Sequence, residues 1–245
     1  MTDRFYSMRP TNAAAGGQVA VERFITQFAS DWLAPSEAGN GYAETELAAA
    51  ERRLGVRLPS ALRTAYRLVG RRDDLTRTQD YLWEPSRLYL DDEDRVLVFR
   101  TENQNVTWWG VPVHSLHLDD PPVIFRLDRL GGAARGWGRW FDRLSLACIE
   151  MVLSESLMSG EVGLCDNRDL DDTAVTVLER SFSRIGLPDY PLWSIPDGPP
   201  VRWFTDTDVL LRDDGRQWLW VRARTHDALE RVRRTLPGDW LMDAE

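Results

Sequence analysis

The sequence predicts an α+β fold: a central, mostly antiparallel sheet packed by helices, with an extra N-terminal helix and a C-terminal hairpin–helix extension. Three observations lead there. Segments of helical and strand periodicity are segregated along the chain, where a parallel α/β fold would alternate them. The central pair of strand-like runs is separated by a loop of hairpin length. A second pair brackets Asp214-Gly215, a dipeptide strongly associated with tight hairpin turns.

Residues 1–17 are small, polar and end in glycine, and read as a flexible tail. From Gln18 to Leu33 the apolar positions Val21, Phe24, Ile25, Phe28, Ala29 and Trp32 recur at spacings of three and four, which predicts an amphipathic helix. Leu47, Ala50 and Leu54 mark a second helix with Gly55 as its stop. Pro59 suits the first turn of a third, which buries Leu62, Ala65, Tyr66 and Val69 and ends at Gly70. The run from Gly70 to Asp94 reads as polar and irregular, anchored by Leu82, Trp83, Leu88 and Tyr89.

VLVFR and VTWWGVPV then read as strands, the first apolar on both faces and so central in its sheet. VIFRL is a further strand. FDRLSLACIEMVLSESLM is apolar almost all round and predicts a buried helix. Trp137 and Trp140, in GWGRW, are expected to flank that helix start. DDTAVTVLERSFSRIG is amphipathic, with Asp171 or Asp172 as its cap. A Pro-rich connection leads to the hairpin around Asp214-Gly215, and Thr225 caps a last helix. The organisation expected is a tail over 1–17, a domain over 18–157 and an extension over 158–245 packed on it.

Composition narrows the function. At 245 residues the chain can bury roughly 70–75% of its unfolded surface without staples. A net charge of −9 argues against nucleic acid as the direct partner and suits a basic protein. All 30 basic residues are arginine, as a GC-rich genome would produce, so a Schiff-base lysine and a phosphate-loop lysine are both excluded. Cys148 and Cys165 make no disulfide framework. The first residues lack a signal-peptide core and no apolar run reaches about 18 residues, so a cytoplasmic protein away from membranes is expected.

The chemical motifs are sparse. On a strand, His114 and His117 would point to opposite faces, which argues against a metal pair. No nucleophile elbow is present, and three histidines leave few candidate bases. GGAARGWG, Gly131 to Gly138, lacks the phosphate-loop pattern and reads as a loop exposing Arg135. The paired carboxylates fall in turns. The stretch VLVFRTENQNVTWWGVPV places Glu102, Asn103, Gln104 and Asn105 at a hairpin tip, where Asn commonly satisfies the turn's own backbone. Trp108 and Trp109 are adjacent on a strand, so one faces each side of the sheet, and one is expected in the core.

Three blocks carry a family resemblance. ELAAAERRLGVRLPSALRTAYRLVGRRDDL holds Leu54, Gly55, Leu58, Pro59, Leu62, Tyr66 and Gly70 in an LG–LP–helix arrangement. VFRTENQNVTWWGVPV holds strand, E-N-Q turn and W-G strand, and Asp120-Pro121-Pro122-Val123 follows. In this order, over roughly Glu44 to Leu157, they resemble the SUKH superfamily of Smi/Knr-like domains. The resemblance implies an α+β sheet packed by helices and, in bacteria, a non-catalytic immunity protein that binds and neutralises a toxin, often a nuclease. It implies no catalytic residues and no cofactor. The N-terminal helix and the residues after Leu157 go beyond the minimal domain.

The expectation is therefore a protein-binding module, not an enzyme, with no metal and no cofactor. Its partner would be a basic toxin domain met through the Glu102–Trp109 hairpin, including Asn103, Gln104, Trp108 and Trp109, and the acidic turns Asp91, Asp92, Asp119 and Asp120. A regulatory scaffold for a cellular partner and a carboxylate-dependent enzyme are the alternatives.

Overall fold

The computed structural model describes residues 17–35, 37–93, 95–127, 136–159 and 163–242. The tail expected before residue 17, Asp94 and Arg135 lie outside the described residues. The chain divides after Ser156 into two compact units, Ala13–Ser156 and one containing Leu157–Glu245.

In the first unit, α1 (Gly17–Trp32) buries the predicted apolar stripe, and Phe24, Phe28 and Trp32 stack one after another along it. It packs along α3 (Ser60–Val69). Between them, α2 (Glu44–Leu54) starts where the Glu46 carboxylate accepts the Ala43 N–H at 2.9 Å. It stops at Gly55, whose left-handed φ of 71° lets the chain leave the helix. Pro59 stands one position before α3, at its cap. The short α4 (Asp73–Thr76) follows.

Among the described residues, six antiparallel strands form this unit's sheet: β1 (Asp80–Leu82), β2 (Tyr89–Leu90), β3 (Val96–Glu102), β4 (Thr107–Pro112), β5 (Val123–Leu127) and β6 (Gly138–Phe141). Their order is β1-β3-β4-β5-β6, with β2 also on β3. Every residue of β3 is buried, as its two-faced apolar pattern predicts. The stretch read as irregular supplies two short strands here. GWGRW is corrected too: Gly138–Phe141 pairs with β5, and Trp140 packs on Trp109 with ring centroids 5.4 Å apart. The buried helix α5 (Leu144–Met158) starts where Asp120 accepts the Ser145 N–H at 2.7 Å and its hydroxyl at 2.6 Å.

The second unit contains β7 (Cys165–Asp169), α6 (Asp172–Ser181), β8 (Ser183–Arg184), β9 (Val201–Asp206), β10 (Val209–Asp214), β11 (Trp218–Ala223) and α7 (His226–Thr235). The hairpin expected at Asp214-Gly215 is β10–β11, and it is the middle of an antiparallel sheet ordered β7-β11-β10-β9-β8. Asp171 caps α6 by accepting the Ala174 N–H at 2.7 Å, and Thr225 caps α7 through the Ala228 N–H at 3.1 Å. Leu178, Phe204, Leu211, Val221, Leu229 and Val232 centre a core of this unit's own.

Strand β7 was not expected, because CDNRD is polar throughout. Its polar side chains are matched: Asp166 accepts from Arg233 Nε at 2.9 Å, and Arg168 donates to the Leu236 carbonyl at 2.8 Å. The outer side of β7 meets the chain again, since Leu241 N–H donates to the Asn167 carbonyl at 2.9 Å. Met242 N–H donates to Asp166 at the same distance.

Candidate protein-binding face

The TENQN hairpin is a closed structural device. The Glu102 carboxylate accepts the Gln104 N–H at 2.8 Å and the Val106 N–H at 3.4 Å, and Glu102 itself is buried. Asn105 takes the left-handed backbone, φ 58°, that the turn demands. Thr101 Oγ1 donates to the Thr107 carbonyl at 3.1 Å and closes the hairpin neck. The amides were expected to satisfy the turn; the carboxylate does it. Asn103 is half-buried and Gln104 exposed at the tip.

The two tryptophans diverge, as alternation requires. Trp109 is 1% exposed and faces inward beside Arg100 and Trp140. This corrects its place on the expected contact surface: the neighbouring strands carry it into the core. Trp108 is half-buried on the opposite face, directly across from Arg126 of β5. The Arg126 guanidinium lies 5.0 Å from the Trp108 ring centroid and 5.4 Å from that of Trp137, so the cation stacks against two indoles. Trp137 is itself held: its indole N–H donates to Asp91 Oδ2 at 3.1 Å. The other oxygen of Asp91 accepts the Arg95 and Val96 N–H groups at 2.7 and 2.9 Å.

Tyr89 joins this face through β2, paired with Val98, which in turn pairs with Gly110 of the Trp108 strand. Burial raises the Tyr89 hydroxyl above its ordinary pKa; Arg126 opposes the rise, and Asp92 and Asp91 add to it. The phenol is therefore neutral and remains a hydrogen-bond donor. Tyr89, Asp91, Asp92, Trp108, Arg126 and Trp137 thus lie together.

Of the residues expected to meet a partner, the structure gathers Asp91, Asp92 and Trp108 on this face. It places Asp119 and Asp120 elsewhere. Asp120 is spent on the start of α5, and the Asp119 backbone carbonyl accepts from Ser60 Oγ at 2.9 Å. Arg126, Trp137 and Tyr89 were missed from sequence. The signal for Arg126 was the lone charge in VIFRL, whose position opposite Trp108 emerges only once β5 is in register.

The interior holds a second polar group. Arg100, 1% exposed, donates to Glu150 at 2.8 Å, Glu155 at 2.7 Å and Asp80 at 3.1 Å. Burial alone would lower the guanidinium pKa; Glu150, Asp80 and Glu155 more than offset this and raise it. Glu155 also accepts the Gln79 N–H at 2.6 Å and the Asp80 N–H at 3.2 Å, at the start of β1.

The other chemical suspects take structural positions. His114 and His117 lie in a tight turn after β4, not on a strand, and His117 Nδ1 donates to the His114 carbonyl at 2.9 Å. The Cys148 thiol is pushed up in pKa by burial and by the Asp120 charge, which disfavours a thiolate. Among the described residues no group of three or more His, Cys, Asp or Glu side chains is placed to hold a metal, and no helix is long and apolar enough to cross a membrane.

Compared with known proteins, the chain matches no family model, no curated protein and no solved structure.

Proposed function

We propose that this chain is a non-catalytic protein-binding module and that it neutralises a basic toxin domain, with a nuclease as the leading class. The observation that carries the reading is the Trp108–Arg126–Trp137 stack beside Asp91 and Asp92. Rigid tryptophans and a stacked arginine are the groups that most often dominate protein-binding energy, because they bury much area and lose little conformational freedom. The neighbouring carboxylates and the net charge of −9 favour a cationic partner and speed its approach. The resemblance to Smi/Knr-like domains points the same way. Cytoplasmic residence belongs to this reading, since a toxin acting on nucleic acid is met there.

The test is calorimetric titration against the toxin domain encoded by the adjacent gene, together with co-expression rescue of growth. Trp108→Ala and Asp92→Lys should each weaken binding and abolish rescue. A gene standing apart from any toxin, or an affinity untouched by both substitutions, would overturn the proposal. The separate core of the second unit favours one other reading, a regulatory scaffold for a cellular partner.

A further inference from the structure

Away from the tryptophan stack, a groove of about 700 Å³ runs between the α2–α3 turn and the loop after β4. Its walls are tied together: Ser60 Oγ donates to the Asp119 carbonyl at 2.9 Å. The α2–α3 side is further fixed by Glu51, whose Oε1 accepts the Leu58 N–H at 2.8 Å and Arg63 at 2.7 Å. The apolar lining includes Val56, Leu58, Val113, Leu116 and Leu118, and Leu118 is 44% exposed.

The charges in the groove are unequally used. Glu51 is engaged through Oε1 by its two donors, and Arg63 also pairs with Glu44. Arg57 is exposed and has no carboxylate within ion-pair distance among the described residues. Arg52, at the end of α2, is also exposed and has no ion-pair partner among the described residues. Over residues 44–70 the five arginines 52, 53, 57, 63 and 67 outnumber the three glutamates 44, 46 and 51, so this edge is locally basic on an acidic protein. On the facing wall, His117 spends Nδ1 on the His114 carbonyl and keeps Nε2 for another partner. Asp119 is exposed on the same wall, so the Arg57 side is the cationic side of the groove.

We infer that the groove docks an extended peptide segment of a partner protein, one that presents a bulky apolar side chain with a carboxylate beside it. The apolar side chain covers Leu118 and its neighbours, and the carboxylate meets Arg57. A small pocket ligand would want a more closed cavity, whereas an extended segment can lie along an open groove. This partner chemistry is opposite to that of the Trp108 face, so the inference stands apart from the toxin reading.

The test is an array of eight-residue peptides, each with one central Leu, Phe or Trp flanked by Asp/Glu, by Lys/Arg or by Ser, with glycine-centred controls. Hits are measured by fluorescence anisotropy and mapped by amide shifts in the full chain. The acidic apolar set should bind saturably, shifting residues 56–60 and 113–119. Arg57→Glu should weaken binding about tenfold or more, the loss of one charge-assisted contact. Leu118→Asp should do likewise, and Trp108→Ala should change nothing. Absence of saturable binding, equal binding of the basic or glycine-centred sets, or insensitivity to both groove substitutions would overturn the inference.

Discussion

The guanidinium of Arg100 lies 5.0 Å from the ring centroid of Trp109, and each residue is only 1% exposed. The indole covers a cation whose in-plane donors are directed to Glu150, Glu155 and Asp80. A charge is tolerable in the interior here because its partners are built from two elements, α5 and β1. Removing it would leave three carboxylates without it in the same space. Arg100→Ala should therefore destabilise the protein by about 3–5 kcal/mol, read as a lower urea midpoint. Combining Arg100→Met with Glu150→Gln and Glu155→Gln should recover much of the loss, since neutral groups no longer need the cation.

At the hairpin tip, Glu102→Ala removes the acceptor for the Gln104 and Val106 N–H groups. The expected cost is about 1 kcal/mol, with faster hydrogen exchange at these two amides. Glu102→Gln, which keeps an oxygen acceptor, should lose less. Neither change should alter partner binding, because the carboxylate is turned into the hairpin.

Gly110 sits between Trp109 and Val111 without any unusual backbone angle. A Cβ there would lie 2.4 Å from Val96 Cγ1 and 2.8 Å from the Leu97 carbonyl oxygen. Gly110→Ala should cost about 1–3 kcal/mol through overpacking, visible as a lower thermal midpoint. Gly136→Ala, where the added Cβ meets nothing within 4 Å, serves as the control.

In the second unit, burial raises the Asp214 carboxyl above 3.8 even though Arg212 pulls it down. The folded state therefore holds this proton more tightly than the unfolded chain. Stability contributed by the group is present at low pH and falls as pH rises from 3.8 through the raised value. Trp220 Nε1–H donates to Asp214 at 3.0 Å, so its indole proton should report a midpoint above 3.8 by NMR. Asp214→Asn should abolish that titration and flatten the pH dependence of stability in the same window.

Helices α1, α2, α3, α6 and α7 were legible from a buried stripe or a recognisable end, as the α1 stripe, Gly55, Asp171 and Thr225 show; α5 was legible as an all-round apolar run, and α4 fell in the stretch read as irregular. Strands β3, β4, β5 and the β10–β11 hairpin were legible for the same reason. Strand β8 was not: it falls inside the run read as helix, whereas α6 ends at Ser181. Strands β1, β2, β6 and β7 were not legible either. Their residues bury through partners distant in sequence, as Asp80 does against Glu155 and Asp166 against Arg233. The division of Trp108 from Trp109 followed from alternation alone, but alternation could not say which indole faced inward. That required the register with β5 and the position of α5. The acidic pairs looked alike in sequence and each divides in structure: Asp120 is taken up by the start of α5 and Asp91 by Arg95, Val96 and Trp137, while Asp119 and Asp92 stay exposed.

The terminal turn of chain that bonds Asn167 and Asp166 has a bearing on solubility. Strand β7 is the outermost member of its sheet, and an unprotected outer strand invites pairing with another molecule. Leu241 occupies that position, its N–H on the Asn167 carbonyl, with Met242 N–H held by the Asp166 side chain, so this turn is placed to act as a stopper against fibril-like growth. A truncation after Trp240 would remove the stopper while leaving α7 and the buried Trp240 in place. Such a protein should aggregate with a sheet-rich infrared signature, and a proline introduced in β7 to block pairing should suppress it.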